Sequence, residues 1–349
     1  MKQPDRHSFQ AGFTLVELMV SMAIGLMIVL ALVTLLINFN RNNSELAKTN
    51  RQIENGRFAL QVLQSDVVHA GFWGSLGYTM APAPAFATPT AIPNPCVVSG
   101  WDDVYKNNLL ALPVQGFANG STLTACNVTG VLPSSDVLIV SHANTCIAGS
   151  ANCDGGTDTG PHIQVSACQT AVPPEAKFVI ETPAIPPAAE FPLMQKDCTT
   201  IAARRKIISN IYYLATSNGL PTLMRVSLIN GAYSTPQPLI EGIEAFRLEY
   251  GIDTNGKNGL PISATNPGDG SADAYVSCAP CTLDQLANVV AVKIHVLARN
   301  PDPTPGYTDN KAYNLGATTT IAAANDSFKR HVFSTTVRLI NPSGRREVQ

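Results

Sequence analysis

Gly12-Phe13-Thr14-Leu15-Val16-Glu17 opens a stretch that stays apolar as far as Ile37, and its reading decides the fold. Glu17 is the one charge in it, and the 20 residues from Leu18 to Ile37 carry none. At about 1.5 Å of rise per residue such a run makes a helix of roughly 30 Å, the thickness of a bilayer's hydrocarbon core. Residues 1–12 form a short polar leader, with Lys2 and Arg6 against Asp5, ending in Ala11-Gly12. A secretory signal peptide would have a shorter apolar run, roughly 7–15 residues, with its small-residue cleavage site behind it. Here Asn38-Phe39-Asn40-Arg41 follows the run and the small residues precede it. The helix over 13–37 is therefore expected to stay in the mature chain, and cleavage to remove only the leader 1–12.

Working outward, Leu46, Ile53, Leu60 and Val67 recur every seven residues with Leu63 among them, which predicts an amphipathic helix over 38–71. Gly56 is read there as a site of bending, and Gly71 as the terminator. From Ala81 the chain reads APAPAFATPTAIPNP, too rich in proline for a helix or a central strand. Residues 75–205 then form a loop-rich head region, with short strand candidates at Val137–Val140 and Phe178–Ile180.

From 206 to 349 strands alternate. Ile207–Leu214 and Leu223–Leu228 flank the hairpin signal Ser217-Asn218-Gly219. Phe246, Leu248 and Tyr250 alternate with charged residues, Val290, Val292, Ile294 and Val296 with Ala291, Lys293 and His295, and Phe333, Thr335, Val337 and Leu339 with Ser334, Thr336 and Arg338. Period-two alternation predicts an antiparallel sheet with one packed and one wet face, the packed face covered by the stripe of the N-terminal helix.

The 349 residues carry a formal net charge of −2 with 14% charged residues, so no basic nucleic-acid footprint is present and no nucleic-acid partner is expected. The eight cysteines, Cys96, Cys126, Cys146, Cys153, Cys168, Cys198, Cys278 and Cys281, all follow the apolar helix. An even number on one side of a membrane span points to disulfides in an oxidising compartment, in an order that spacing does not give.

Gly12 to Glu17 followed by an apolar helix resembles the signature of type IV prepilins and type II secretion pseudopilins. The resemblance implies that a prepilin peptidase cuts after Gly12, that Phe13 becomes the N-methylated terminus, and that Glu17 is the acid used in assembly. A carboxylate in a lipid-bound helix costs about 2.5–3.5 kcal/mol on insertion scales. The amine freed on Phe13 of a neighbouring subunit would offset that cost on assembly, whereas at headgroup level Glu17 would need no partner.

The C-terminal runs Ile240–Glu244, Leu248–Asp253, Val289–Ile294 and Arg330–Leu339, with Gly344-Arg345-Arg346, resemble the PilW family of minor pilins. With the N-terminus the resemblance covers about residues 10–80 and 205–346, leaving the Cys-rich middle unmatched. It implies an α+β, type IV pilin-like fold: a long N-terminal helix packed on an antiparallel sheet, with a disulfide-rich insertion. It also implies a non-enzymatic subunit, held in the inner membrane with its C-terminal domain in the periplasm. With other minor pilins and a tip adhesin it would prime polymerisation of the major pilin. The alternatives are a minor pseudopilin of type II secretion, a tip adhesin or DNA-capture subunit, and an anchored periplasmic enzyme.

Other constellations are weaker. Cys278-Ala279-Pro280-Cys281 has redox-pair spacing, and Thr282-Leu283-Asp284-Gln285 after it reads as a capping box, but no βαβ pattern precedes it. Asp253 to Gly259 is similar to a calcium loop except that Lys257 stands at a ligand position; calcium is left open through Asp269 and Asp273, and no other cofactor or metal is expected. A Ser-His-Asp set could form only in three dimensions. Lys329, Arg330, Arg338, Arg345 and Arg346 make a basic C-terminus, read as a solvated sheet face or, alternatively, a docking patch for an acidic partner or DNA.

Overall fold

The computed structural model describes residues 12, 14–76, 87–118, 120–150, 153, 158–168, 177–182, 190–263, 265–277 and 280–347. They fall in two compact units, Met1–Asn50 and Arg51–Gln349. Helix α1, Leu15–Val67, begins in the first and ends in the second.

In the first unit every residue of α1 from 15 to 44 is exposed. By length and composition the helix can cross a membrane. An apolar helix with no protein around it needs lipid or other subunits as its surroundings.

In the second unit α1 turns Gln52, Gly56, Ala59, Leu63 and Val67 inward. This corrects the expected stripe: Ile53 and Leu60 only flank the seam, and Leu46 is exposed. The reason lies at Gly56, where an added Cβ would sit inside the van der Waals surface of the Phe333 ring. Small residues at 56 and 59 let the sheet approach the helix axis, and the larger side chains lie to either side. Gly56 thus serves close approach, not bending, and the helix is uninterrupted there. In a Gly56→Ala variant the clash should outweigh the roughly 1 kcal/mol gain in helix propensity and leave a net loss of about 1–2 kcal/mol. Urea unfolding of fragment Arg51–Gln349 measures it; unchanged stability would mean that Phe333 swings aside freely. After Val67 the chain turns, and Gly71 at φ +70° ends the turn.

Helix α2, Asp103–Ala111, precedes the first sheet. That sheet holds β1 (Val114–Phe117), β2 (Val137–Ala143), β3 (His162–Val165), β4 (Phe178–Glu181), β5 (Arg204–Ser217), β6 (Leu220–Ile229), β7 (Ala232–Tyr233) and β8 (Gln237–Glu241). The 14-residue β5 is its hub, pairing with β2, β3 and β6. The hairpin to β6 turns on Asn218 and Gly219, both at positive φ, with Ser217 opposite Leu220, the two-residue turn that Asn-Gly favours.

The second sheet comprises β9 (Ile243–Ile252), β10 (Ala274–Val276), β11 (Val289–Arg299) and β14 (Arg330–Arg338), in the order β10-β9-β11-β14, all antiparallel. A small ribbon, β12 (Tyr313–Asn314) with β13 (Thr320–Ile321), lies between β11 and β14 in sequence, and helix α3, Leu283–Ala287, precedes β11. Thr282 caps α3 through a reciprocal capping box with Gln285. The sheets meet where Ser135 bridges Phe246 and Asp136 accepts from Arg247 at 2.7 Å and from the Leu248 amide at 2.9 Å. One core joins them under α1: Ala59, Leu63 and Val67 share a cluster with Leu138, Tyr212 and Leu214 of the first sheet and Phe246, Val292, Ile294 and Val337 of the second.

The wet face expected of the C-terminal sheet is covered on β9 and β11, while on β14 Ser334, Thr336 and Arg338 are exposed as expected. Ala291, His295 and Leu297 are buried like their alternates. The segment from 300 to 329 folds over them, and Leu315, Tyr313 and Ile321 pack on Ala245, Leu297 and Val332.

Three disulfides are described: Cys96–Cys126, Cys146–Cys153 and Cys168–Cys198. Cys126 is fully buried beside Val137 and Ile211, so the first bond ties the loop at Cys96 into the first sheet's core. Cys281 is also disulfide-bonded. Cys278 lies outside the described residues.

Candidate assembly site and the clamp on the helix end

The site starts at a bare backbone. Gly12 is exposed, and among the described residues nothing lies within 4 Å of where its Cβ would be. Phe13 is outside the described residues. Thr14 then starts the helix: the Glu17 amide donates to its hydroxyl at 3.3 Å, and the Glu17 carboxylate accepts from the Thr14 amide and hydroxyl, each at 2.9 Å. This is a reciprocal capping box, and the helix dipole favours a negative charge in that turn. A carboxylate offers about four acceptor sites, so one holding two local donors can still receive an ammonium. The Thr-x-x-Glu spacing carried this signal, but the sequence reading took Glu17 alone and missed Thr14.

The other end of α1 is held by the C-terminus. In α4, Ile340–Glu347, Asn341 donates to the Ala70 carbonyl at 3.2 Å and the His69 carbonyl at 3.4 Å, and Arg345 donates to the Gly71 carbonyl at 3.0 Å. Arg346 meets Asp253 at 3.1 Å, the Ala287 carbonyl at 2.8 Å and Asn288 at 2.7 Å. Arg338 pairs with Glu347. Arg330, with 3% of its side chain exposed, binds Glu244, Asp326 and the fully buried Asp309. Lys329 stacks over Tyr307. These contacts correct the solvated-face reading for Arg330, Arg345 and Arg346, which join segments within the chain, whereas Arg338, about half exposed beside Thr336, stays on a solvated face. The Arg330 guanidinium holds the Asp326 carboxyl down at about 2.

The carboxylates considered for calcium are committed elsewhere. Asp253 faces Arg346 and the Gly270 amide, Asp273 accepts from the Thr254 and Asn255 amides, and Asp269 accepts from the Ser271 amide. Among the described residues no three His, Cys, Asp or Glu side chains group as metal ligands.

One constellation emerged only in three dimensions. Across β14, β11 and β9, Ser334 Oγ lies 2.7 Å from His295 Nδ1, and His295 Nε2 lies 3.2 Å from Glu249. These are the atoms of a hydrolytic triad, but Ser334 borders neither of the described cavities, both of which open around Trp101. Glu249 also accepts from the Ala317 amide at 2.7 Å, and Gly316 lets that loop approach. Burial pushes the Glu249 carboxyl up, but the Ala317 amide and His295 outweigh it and leave it below its usual range. The group anchors the segment that covers the sheet.

A capped, exposed apolar helix start on a chain whose helix end is buried on an antiparallel sheet is the arrangement expected of a type IV pilin. The family model for the prokaryotic N-terminal methylation motif matches residues 7–36, and the model for type IV pilus-assembly protein W matches residues 211–341. The chain is thus similar to the PilW family of type IV minor pilins over its C-terminal sheet and to prepilins at its N-terminus. No curated protein and no solved structure matches it.

Proposed function

We propose that this chain is a minor pilin that primes polymerisation of the major pilin as part of a minor-pilin complex at the fibre tip. In this reading prepilin peptidase removes residues 1–12 after Gly12, and Phe13 becomes the methylated terminus. Residues 13–37 span the inner membrane and later join the fibre core. Residues 38–71 and 206–349 form the periplasmic head, with 75–205 as its disulfide-tied insertion. The observation that supports the reading is an exposed helix, uncharged from Leu18 to Ile37 and opened by the Thr14–Glu17 capping box, on a chain whose residues 211–341 match the PilW model. The test is the amount of major pilin sheared from a deletion strain against a complemented one. A large loss is expected; normal piliation with a secretion defect would indicate a type II pseudopilin instead.

Within this reading, Glu17→Ala is expected to be processed normally yet to enter fibres poorly. The neighbour's amine would then lie unpaired in apolar surroundings, and a penalty of even 1.4 kcal/mol corresponds to about tenfold less incorporation. Immunoblots of sheared fibres measure this, and incorporation equal to wild type would remove Glu17 from the docking contact.

A further inference from the structure

We propose that the smaller of the two cavities beside Trp101 is a binding site for one water molecule, held between Gln115 and Ser141, which fastens the disulfide-tied loop around Cys96 to the first sheet. The inference is independent of the function proposed above. Gln115 stands on β1 opposite Ile139 of β2, so Ser141, two residues further along β2, is its diagonal neighbour on the same face. On β5, Ser209 stands opposite Ser141 and continues that face. Helix α2 and the loop before it cover the face through Tyr105 and Pro95, and a cavity of about 10 Å³ lies between cover and sheet. That is room for about one water.

The polar atoms around this cavity are buried and unequally served. Gln115 is 3% exposed, and its Oε1 has no hydrogen-bond partner among the described residues. Native structures rarely leave a buried amide oxygen in that condition, because its desolvation is then uncompensated. The hydroxyls beside it form a chain whose direction is fixed at the far end. The Pro95 carbonyl can only accept, so Tyr233 donates to it, at 2.7 Å. The Tyr233 oxygen then receives the proton of Ser209 at 3.3 Å, and Ser209 receives that of Ser141 at 3.2 Å. Every hydroxyl proton is thereby committed toward Pro95. Ser141 Oγ is left, like Gln115 Oε1, as an acceptor.

Two acceptors on one small cavity select a ligand that donates twice. An anion donates nothing. A hard metal cation takes about six or more oxygens, whereas Leu109, Ile139, Ile207 and Leu228 occupy the remaining walls. No carboxylate lines the cavity, so an ammonium ion would bring a charge out of water without a partner. Water donates to both oxygens and brings no charge. Bound there, it completes a chain from Gln115 through Ser141, Ser209 and Tyr233 to Pro95, one residue before the disulfide-bonded Cys96.

The test is a crystal structure of the full chain in detergent, at a resolution that shows ordered water, beside that of Gln115→Met, which keeps the side chain's length and removes its acceptor. In the wild type one spherical density peak is expected within about 2.7–3.2 Å of both Gln115 Oε1 and Ser141 Oγ. In the variant the peak should vanish, and the folding equilibrium constant measured in urea should fall about tenfold. The proposal is overturned by no peak in the wild type, by density larger than a water, by a Gln115 amide turned so that Nε2 donates to Ser141, or by a peak that persists in the variant. A Gln115→Met chain as stable as the wild type, or more stable, also overturns it, because that is the result of removing an acceptor that nothing had served.

Discussion

Replacing Arg330 with Met lowers the stability of fragment Arg51–Gln349 by about 3–5 kcal/mol, the usual cost of breaking a buried ion pair by removing one partner. Asp309 is fully buried, and Arg330 Nη1 at 3.0 Å is its cationic partner. Without the guanidinium it keeps only the hydroxyls of Tyr313 at 3.0 Å and Tyr307 at 3.3 Å, too little to compensate a full charge out of water. Urea unfolding should show a lower midpoint with unchanged slope, and Asp309→Asn added to the variant should restore part of the loss. A loss under about 1 kcal/mol would mean that water solvates the network as it does a surface pair. The same residue governs acid behaviour. The folded-state pKa of Asp326 lies near 2, below its ordinary 3.8, so its stabilisation is complete above the ordinary value and is lost as pH falls through about 2. Arg330→Met should flatten that acid limb.

Gly12→Val leaves the chain at precursor length. The fold does not resist this substitution: no atom of the described residues lies within 4 Å of the new Cβ, and the residue is exposed. Stability, membrane insertion and disulfide formation should therefore match wild type while cleavage is lost, which separates recognition by the peptidase from folding. Immunoblots of membrane fractions distinguish the two lengths. A mature-sized band in the variant would remove Gly12 from the cleavage site.

Much of the fold could be read before any coordinates because the relevant forces are local. The uncharged run from Leu18 to Ile37, the Asn218-Gly219 turn, the Thr282 capping box and the alternating strands depend on neighbours a few residues away. The helix–sheet seam depends on residues far apart. Gly56 and Ala59 carry no hydrophobic signal, and their place on the buried face exists only because Phe333, distant in sequence, needs room there. Arg330 looked like a surface charge because its three carboxylate partners lie in separate loops and strands. The second face of β9 and β11 looked wet because its cover, around Leu315, reads as loop. Disulfide partners such as Cys168 and Cys198 are set by where β3 and the loop before β5 come to rest. At the N-terminus the Thr-x-x-Glu spacing was legible, yet the signal of a buried-charge partner drew the reading past the capping hydroxyl.

The clamp on the end of α1 also determines how the head resists being pulled. In the proposed role as a fibre subunit, tension reaches the head through α1. Within Arg51–Gln349 β14 runs beside the end of α1 in the same direction, so displacement of that helix segment along its own axis loads the seam in shear. The contacts at Gln52, Gly56 and Ala70–Gly71 are spread over the helix and must slip together; they cannot peel apart one at a time. Asn341 and Arg345 grip the chain just past the end of α1, so α4 helps set the mechanical limit of that helix segment.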